Sequence, residues 1–476
     1  MAARLDLSDD AVRAQVTARL GRLYAGRPVL VATGALSAVT PLVRWLRALG
    51  CRVLMVCTAR GPGEVPGPDE AEIVEIPAPA AASVTEEMRT HERVFRHLPT
   101  TALEAIEGFD PDHGASWVVT PFVTTDEPIA GRPVTAGRPA AWIALEDKLL
   151  AEDLWRSAGV TAAPHRVVPV DRAALESATT EVAGPLGAVW SGDTREGSNG
   201  GGDYVRWVAT EQDALTAFAF FAPRCDRVRV QPFLDGVPCS IHGIVLRDGT
   251  AVFRPVEIAV LRDPARRTFS HGGLGTFWDP LPEDREAMRR VARRVGDQLA
   301  ATWSYRGAFG IDGVLTADGF RPTELNPRLS TGLTTVVDVD RPFLALLQAN
   351  LVAGVDTGLG VADLESMLPL TDDRRSGRAS VLVEGLQVGE AHDVPIAWDG
   401  RTLCRAASAT GDVVALADTA SGCLATLAPV SFLRPGERLA PVVAALADLL
   451  DREYDAGLGP LEAAPNMREV VAARPG

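Results

Sequence analysis

The chain contains 476 residues, a length that corresponds to about three domains, and its composition is that of an ordinary globular protein. The formal net charge of −15 disfavours a nucleic-acid partner, because binding to phosphates requires a basic surface. No segment has the apolar length of a membrane helix and the N-terminus is too polar for a signal peptide, so we expect a cytoplasmic protein with small-molecule ligands, as a monomer or homodimer.

The N-terminal part of the chain predicts an open α/β domain. Residues 27–57 have the pattern of a strand, a tight turn, an amphipathic helix and a second strand, which is a β-α-β unit. The turn ATGALS lacks the G-x-G-x-x-G sequence of dinucleotide-binding proteins. Residues 126–145 are rich in Pro and Gly, and we place the end of the first domain, residues 1–130, at the start of this segment.

The next segment contains Lys148, the only lysine among 47 basic residues. An acidic start at LEDKLL and a stop at Gly159 predict a helix with Lys148 in its first turns. A lysine kept in an arginine-rich chain suggests that a compact ammonium group must enter a confined site. The alternative is that Lys148 persists by chance on a helix surface.

Two glycine-rich segments follow. Residues 186–192 predict a strand, and residues 192–202 contain five glycines, which allow a backbone to approach phosphates or form a flexible hairpin tip. Residues 266–279, with His271, Gly272 and Gly273, predict a long loop that covers a site. Residues 283–303 then predict an amphipathic helix.

Polar side chains alternate near the end of the next predicted hairpin. Glu324, Asn326 and Arg328 occupy every second position, so they should share one face of a strand. Asp312 precedes Glu324 by twelve residues and should face it across the hairpin. Carboxylate and amide oxygens suit Mg²⁺ and an arginine suits a phosphate, although a solvated strand edge would also have this pattern.

With these residues, the chain resembles the ATP-grasp superfamily over roughly residues 25–370, most specifically at residues 305–332. The family pattern is an acidic residue followed by Glu-x-Asn-x-Arg, here Asp312 and residues 324–328. The pair Asp147-Lys148 is similar to the Asp-Lys of the family, and residues 193–202 are similar to its phosphate loop. Val230 to Leu234 are similar to the hinge that receives adenine.

The resemblance implies a multidomain α/β and α+β architecture. A Rossmann-like N-terminal domain, residues 1–130, would precede an ATP-grasp domain of two α+β subdomains, residues 131–370, with the lid at about residues 160–235. Residues 371–476 would form a small, mainly β C-terminal domain with one helix.

The resemblance also implies site residues. The metal ligands would be Asp312, Glu324 and Asn326, holding Mg²⁺ or Mn²⁺, and the catalytic candidates are Arg328 and His271, the latter for deprotonation of an amine. The ATP-binding residues would be Lys148, Arg195, Ser198, Gly200, Gly201, Gln231, Pro232, Phe233, Leu234 and His242.

Three positions depart from the family pattern. A second lysine is usual on the strand before the glycine-rich segment, but Trp190 and Ser191 stand there, and Arg195 is the candidate substitute. Acidic residues are usual where Gln231 and Pro238 occur, so we assign His242 to nucleotide recognition.

The function that the resemblance implies is an ATP- and Mg²⁺-dependent ligase. It would join a carboxylate to an amine through an acyl phosphate and release ADP and phosphate, acting on small acids and amines such as amino acids or peptides. Two alternatives stay open: a carboxylase similar to biotin carboxylase, and a nucleotide-binding protein without catalysis.

Overall fold

The computed structural model of the protein describes residues 4–61, 63–79, 81, 84–193, 195, 202–337, 341–407, 411–419 and 421–468. Three β-sheets and the helices packed on them make up the fold. None of the helices in these ranges is long and apolar enough to cross a membrane.

The N-terminal part is a five-stranded parallel sheet with helices around it. Its strands lie in the order β3-β2-β1-β4-β5, and the β1-β2 and β1-β4 pairs are parallel as the predicted β-α-β unit requires. The elements are α1 (Asp10–Leu20), β1 (Pro28–Ala35), α2 (Thr40–Ala48), β2 (Arg52–Ala59), β3 (Glu72–Glu75), α3 (Val84–Arg96), α4 (Thr100–Phe109), β4 (Ser116–Val118) and β5 (Val134–Thr135).

A second sheet has four antiparallel strands and lies within residues 160–235, the segment predicted to be the lid and called the lid below. Its strand order is β6-β9-β7-β8. Helix α7 contacts β6 and β9, and α8 contacts β8. The elements of this part of the chain are α5 (Ala140–Ile143), α6 (Ala151–Ser157), β6 (Arg166–Pro169), α7 (Arg172–Val182), β7 (Ala188–Gly192), β8 (Val205–Val208), α8 (Glu211–Phe221) and β9 (Arg227–Pro232).

The third sheet has twelve strands and continues into the C-terminal part of the chain. The main path is β15-β14-β10-β12-β13-β16-β20-β19-β17-β18, with β11 on β10 and β21 on β12. Its first elements are β10 (Gly236–Leu246), β11 (Gly249–Val252), β12 (Val256–Asp263), β13 (Thr268–Gly275), α9 (Pro282–Trp303), β14 (Gly307–Thr316) and β15 (Gly319–Asn326).

The remaining elements are four helices after β15 and the strands that complete this sheet, together with one long C-terminal helix. They are α10 (Thr331–Val336), α11 (Arg341–Val352), α12 (Val361–Glu365), α13 (Leu368–Asp373), β16 (Gly377–Glu384), β17 (His392–Trp398), β18 (Leu403–Arg405), β19 (Val413–Asp418), β20 (Gly422–Leu427), α14 (Ala440–Tyr454) and β21 (Glu462–Ala463). This mixture of a parallel sheet, an antiparallel lid and a large antiparallel sheet confirms the predicted fold class.

Helix α9 supports the large sheet from one side. Its buried residues Met288, Ala292, Val295 and Leu299 recur at helical spacing, and the helix contacts β10 and β11. Ile311 of β14 is fully buried in the same core. Because side chains alternate along a strand, Asp312 faces the opposite side of the sheet, away from α9.

The predicted loop at residues 266–279 is wrong, because most of it is strand β13. Gly273 has φ +125° and pairs with Ala379 of β16; a Cβ at Gly273 would lie 1.9 Å from the Arg378 carbonyl oxygen. The glycine therefore permits a close approach between strands about one hundred residues apart in the chain. The polar, glycine-rich sequence of this segment suggests a loop because its strand partner β16 lies far along the chain.

Candidate active site

The hairpin of β14 and β15 brings the predicted metal ligands together. Asp312 and Glu324 are cross-strand partners, and Asn326 Nδ2 donates to Asp312 Oδ2 at 3.0 Å. Leu325 between them is buried on the α9 side. A β-bulge between Asp312 and Gly313 shifts the register of the hairpin by one residue, so that Asp312 faces Glu324 and the two carboxylates lie with the Asn326 amide.

Arg328 lies two residues beyond the end of β15 and joins this group. Its Nη2 donates to Asn326 Oδ1 at 3.0 Å, and its Nε is 3.3 Å from Glu146 Oε1. The side chain remains 44% exposed, so the guanidinium is accessible from the cavity described below. The arrangement offers a planar cation beside the carboxylates.

Lys148 also contacts this group, but from a turn and not from a helix. Its Nζ lies 3.1 Å from Glu324 Oε2. The predicted position in the first turns of a helix is wrong: α6 begins at Ala151, and Asp147 Oδ1 accepts a hydrogen bond from Leu149 N at 2.8 Å. The Asp147 side chain bonds to the backbone two residues on, which forms a turn in place of a helical turn.

The electrostatics of the site are those of a cation-binding centre. Burial and the nearby Glu324 charge raise the pKa of the Asp312 carboxyl, and the Ser240 hydroxyl, Arg328 and Lys148 act in the opposite direction. A divalent cation would relieve the repulsion between the two carboxylates. Oxygen donors are the ligands that Mg²⁺ prefers, so Asp312 and Glu324 fit such an ion.

Asn326 is the less complete match to the metal set, because its Oδ1 accepts the bond from Arg328. Ligation through that oxygen would require Arg328 to move. In the ranges that the structure describes, no group of three or more His, Cys, Asp or Glu residues could hold a metal. The candidate donors at this site are instead two carboxylates and one amide.

His242 lies with the carboxylates and not with the hinge. It is 2% exposed, and its Nε2 is 3.1 Å from Ser240 Oγ, while Ser240 itself pairs with Asp312 across the strands. Burial lowers the pKa of the His242 imidazole to about 3, so the ring is neutral. His242 lines the same cavity as the hinge residues Gln231 and Phe233, so its role in nucleotide recognition stays a prediction.

The hinge residues lie at the end of β9. Gln231, Phe233 and Leu234 line the cavity, and Pro232 pairs with Ala188 of β7. Sequence reasoning missed the aromatic cluster around Phe233, in which the rings of Trp207 and Phe269 lie 4.7 and 6.0 Å from its ring. This apolar cluster is a suitable environment for a flat heterocycle.

The glycine-rich segment is described in part. Ser198, Gly200 and Gly201 lie outside the described residues. Arg195 Nη1 is 3.0 Å from Asp226 Oδ1, and its Nη2 donates to the Pro223 carbonyl at 2.6 Å. Arg195 thus contacts the turn between α8 and β9. Its predicted role in place of a family lysine, which would require it to face the phosphates, stays a prediction.

His271 lies on β13 and lines the same cavity as Lys148 and Glu324. The ring is solvent-exposed within the cavity, yet surrounding protein lowers the pKa of its imidazole by desolvation. A neutral imidazole on a cavity wall can accept a proton.

One large cavity is lined by Lys148, Asp312, Glu324, Arg328 and His271 and by the hinge residues Gln231, Phe233 and Leu234. It has a volume of about 1610 Å³ and is lined by the lid, the large sheet, α3 and strands β16 and β20. A typical ligand pocket has about 300 to 1,000 Å³, so this cavity can hold a nucleotide together with further substrates.

Two residues of the site were missed in the sequence. They are Ser240, whose hydroxyl forms a hydrogen bond with Asp312, and Arg229, which donates to the Lys148 carbonyl. Both residues are buried and lie on strands. The signal was present, because each is a polar residue that alternates with apolar residues along its strand.

Comparisons with known proteins find similarity in structure only. No protein-family model matches the chain, and no curated protein matches it in sequence. The structure of an L-amino acid ligase from Bacillus licheniformis covers 89% of this chain and 98% of its own, with 14% identity and a TM-score of 0.52.

Two further structures are similar over nearly the whole chain. N5-carboxyaminoimidazole ribonucleotide synthetase from Thermus thermophilus has 17% identity, coverages of 89% and 98%, and a TM-score of 0.48. Carboxyaminoimidazole ribonucleotide synthase from Aspergillus clavatus complexed with ATP has 13% identity, coverages of 90% and 99%, and a TM-score of 0.48. With the lid, the hairpin carboxylates and the match to the L-amino acid ligase, the fold of this chain is the ATP-grasp fold.

Proposed function

We propose that the protein is an ATP- and Mg²⁺-dependent, ADP-forming ligase that joins a carboxylate to an amine through an acyl phosphate. The observation that carries the proposal is the convergence of Asp312, Glu324, Lys148 and Arg328 in one cavity beneath the lid. The fold shared with an L-amino acid ligase supports a ligase of this class.

The nucleotide would bind between the lid and the large sheet. The base would contact the hinge residues Gln231, Phe233 and Leu234, which places the phosphates toward Lys148 and the carboxylates. Asp312 and Glu324, with Asn326 after a shift of Arg328, would hold Mg²⁺ or Mn²⁺. The ion supplies charge neutralisation and Lewis acidity at the phosphates when bound.

The first step forms the acyl phosphate. An oxygen of the substrate carboxylate attacks the γ-phosphorus, the new O–P bond forms, and the bond from phosphorus to the bridging β-oxygen breaks to release ADP. Lys148 neutralises phosphate charge, and Arg328 binds the transferred phosphoryl group and the carboxyl oxygen. No side-chain nucleophile is needed, because the substrate carboxylate is itself the nucleophile.

The second step forms the amide. The amine nitrogen attacks the carbonyl carbon, the C–N bond forms, the bond from carbon to the phosphate oxygen breaks, and the nitrogen loses a proton. His271 lines the cavity and is the proposed acceptor of that proton. The substrates would be small acids and amines, such as amino acids or peptides.

Transfer of ¹⁸O tests the proposal directly. Acids and amines are first screened pairwise for ATP-dependent phosphate release, and the active acid is then enriched in ¹⁸O at its carboxyl group. We expect one heavy oxygen in each released phosphate and ADP as the nucleotide product, measured by mass spectrometry. AMP with pyrophosphate, or unlabelled phosphate with accumulating amide, would contradict the mechanism, and release that depends on bicarbonate would favour a carboxylase.

Replacement of His271 should separate the two steps. For His271→Ala we expect amide formation to slow by about a hundredfold or more, the lower end of the usual contribution of a general base. Hydroxylamine needs no such base to capture an acyl phosphate, so hydroxamate formation should stay within about twofold of the wild-type rate. Equal losses of amide and hydroxamate would show that His271 does not take the proton.

A further inference from the structure

A buried arginine, Arg229, links the segments that carry Lys148 and Glu324. It lies on β9 and is 1% exposed. Its Nη1 donates to the Lys148 carbonyl at 3.2 Å, and its Nη2 donates to the carbonyl of Thr323, the neighbour of Glu324, at 3.0 Å. One side chain of the lid therefore contacts both the lysine turn and strand β15.

Arg229 forms a buried ion pair and leaves one donor without a hydrogen-bond partner in the described part of the chain. Nη1 also lies 3.1 Å from Glu152 Oε1, a buried carboxylate. Burial lowers the pKa of the Arg229 guanidinium, while the charges of Glu152 and Glu324 raise it. Within the described part of the chain its Nε has no hydrogen-bond partner. A buried cation is costly, so its place beside this cavity requires an explanation beyond packing.

The strand register shows where that charge lies. Arg229 pairs with Ser191 of β7, and the next pair on the same face is Gln231 with Val189. All four residues line the cavity. The resemblance to the ATP-grasp superfamily implies a lysine on β7, where Trp190 and Ser191 stand, and Arg229 is the direct partner of Ser191 on the neighbouring strand.

We propose that Arg229 is a positioning residue of the phosphate site, which sets the separation of Lys148 and Glu324 and supplies from β9 the positive charge that β7 lacks. The inference rests on the proposed function, because it concerns the same nucleotide site. Arg229 does not contact the reacting atoms in this proposal. It acts through the positions of Lys148 and Glu324 and through its positive charge.

Nucleotide titrations of the full chain test this role. Binding of ADP with Mg²⁺ and of adenosine is measured by calorimetry for the wild type, Arg229→Gln, Arg229→Lys and the double variant Ser191→Lys with Arg229→Gln. We expect Arg229→Gln to weaken ADP binding by about tenfold, because Lys148 and Glu324 lose their fixed separation and the site loses one positive charge, and to change adenosine binding less than about twofold. Arg229→Lys should be intermediate, and Lys at position 191 should restore most of the affinity for ADP.

The control is Arg227→Gln, which removes the same charge from an exposed position two residues earlier on β9 and should bind ADP normally. Wild-type affinity for ADP in Arg229→Gln, or equal losses for ADP and adenosine, would overturn the inference. A double variant no tighter than Arg229→Gln would also overturn it, since the charge would then have no role. If Arg229→Gln does not fold, Arg229→Lys decides, with the same ADP-specific loss expected. A wild-type protein that binds neither ligand would refute the proposed function itself.

Discussion

Replacement of Glu324 by Ala should lower kcat/KM by about a thousandfold or more, because a bound metal contributes several kcal/mol to phosphoryl transfer and each 1.36 kcal/mol is tenfold in rate. Glu324 faces Asp312 across the hairpin and is one of the two carboxylates that fit a divalent cation. The single remaining carboxylate cannot hold the ion between phosphates. The isosteric Glu324→Gln should behave similarly, because it keeps the shape and removes the charge.

The decisive measurement is ADP binding with and without Mg²⁺. Mg²⁺ should strengthen ADP binding by the wild type and should have little effect on either Glu324 variant. Asp318→Ala, at an exposed position in the turn of the same hairpin, is the matched control and should retain activity. If a folded Glu324→Ala protein turns over at the wild-type rate, this hairpin is not the metal site.

Replacement of Lys148 by Met should lower kcat/KM for ATP by roughly 10- to 150-fold, which corresponds to about 1.5–3 kcal/mol for a charge-assisted hydrogen bond. Lys148 Nζ is held 3.1 Å from Glu324 Oε2, where it can exchange this contact for a phosphate oxygen. Lys148→Arg keeps the charge but introduces a larger planar group into a confined site, so we expect a partial loss of about tenfold.

Binding of ADP without Mg²⁺ distinguishes Lys148 from Glu324. A direct phosphate contact by the ammonium does not need the metal, so Lys148→Met should weaken ADP binding even in its absence. Arg156→Met, which removes an exposed cation from α6, is the control and should bind ADP as the wild type does. Wild-type kinetics for Lys148→Arg would show that the lone lysine has no special role.

The hairpin of the candidate site could be predicted from the sequence because its geometry is local. The turn between β14 and β15 is short, and alternation along β15 accounts for Glu324 and Asn326 on one face. The β-bulge between Asp312 and Gly313, which places Asp312 opposite Glu324, was not predicted. The parallel pair of β1 and β2 followed from a β-α-β pattern for the same reason. The ATP-grasp fold was recognised through these hairpin residues together with Lys148.

Contacts between distant segments were decided by the tertiary structure. Residues 268–275 form a strand because β12 and β16 pair with them, and β16 lies about one hundred residues further along the chain. His242 is buried beneath Ser240, and Arg229 joins the lid to the Lys148 turn, through neighbours that no local pattern specifies. Sequence alone determined which polar residues share a strand face, because side-chain alternation is a property of the backbone. Which of those residues meet, and which are buried, depended on sheet pairing and burial among segments far apart in the chain.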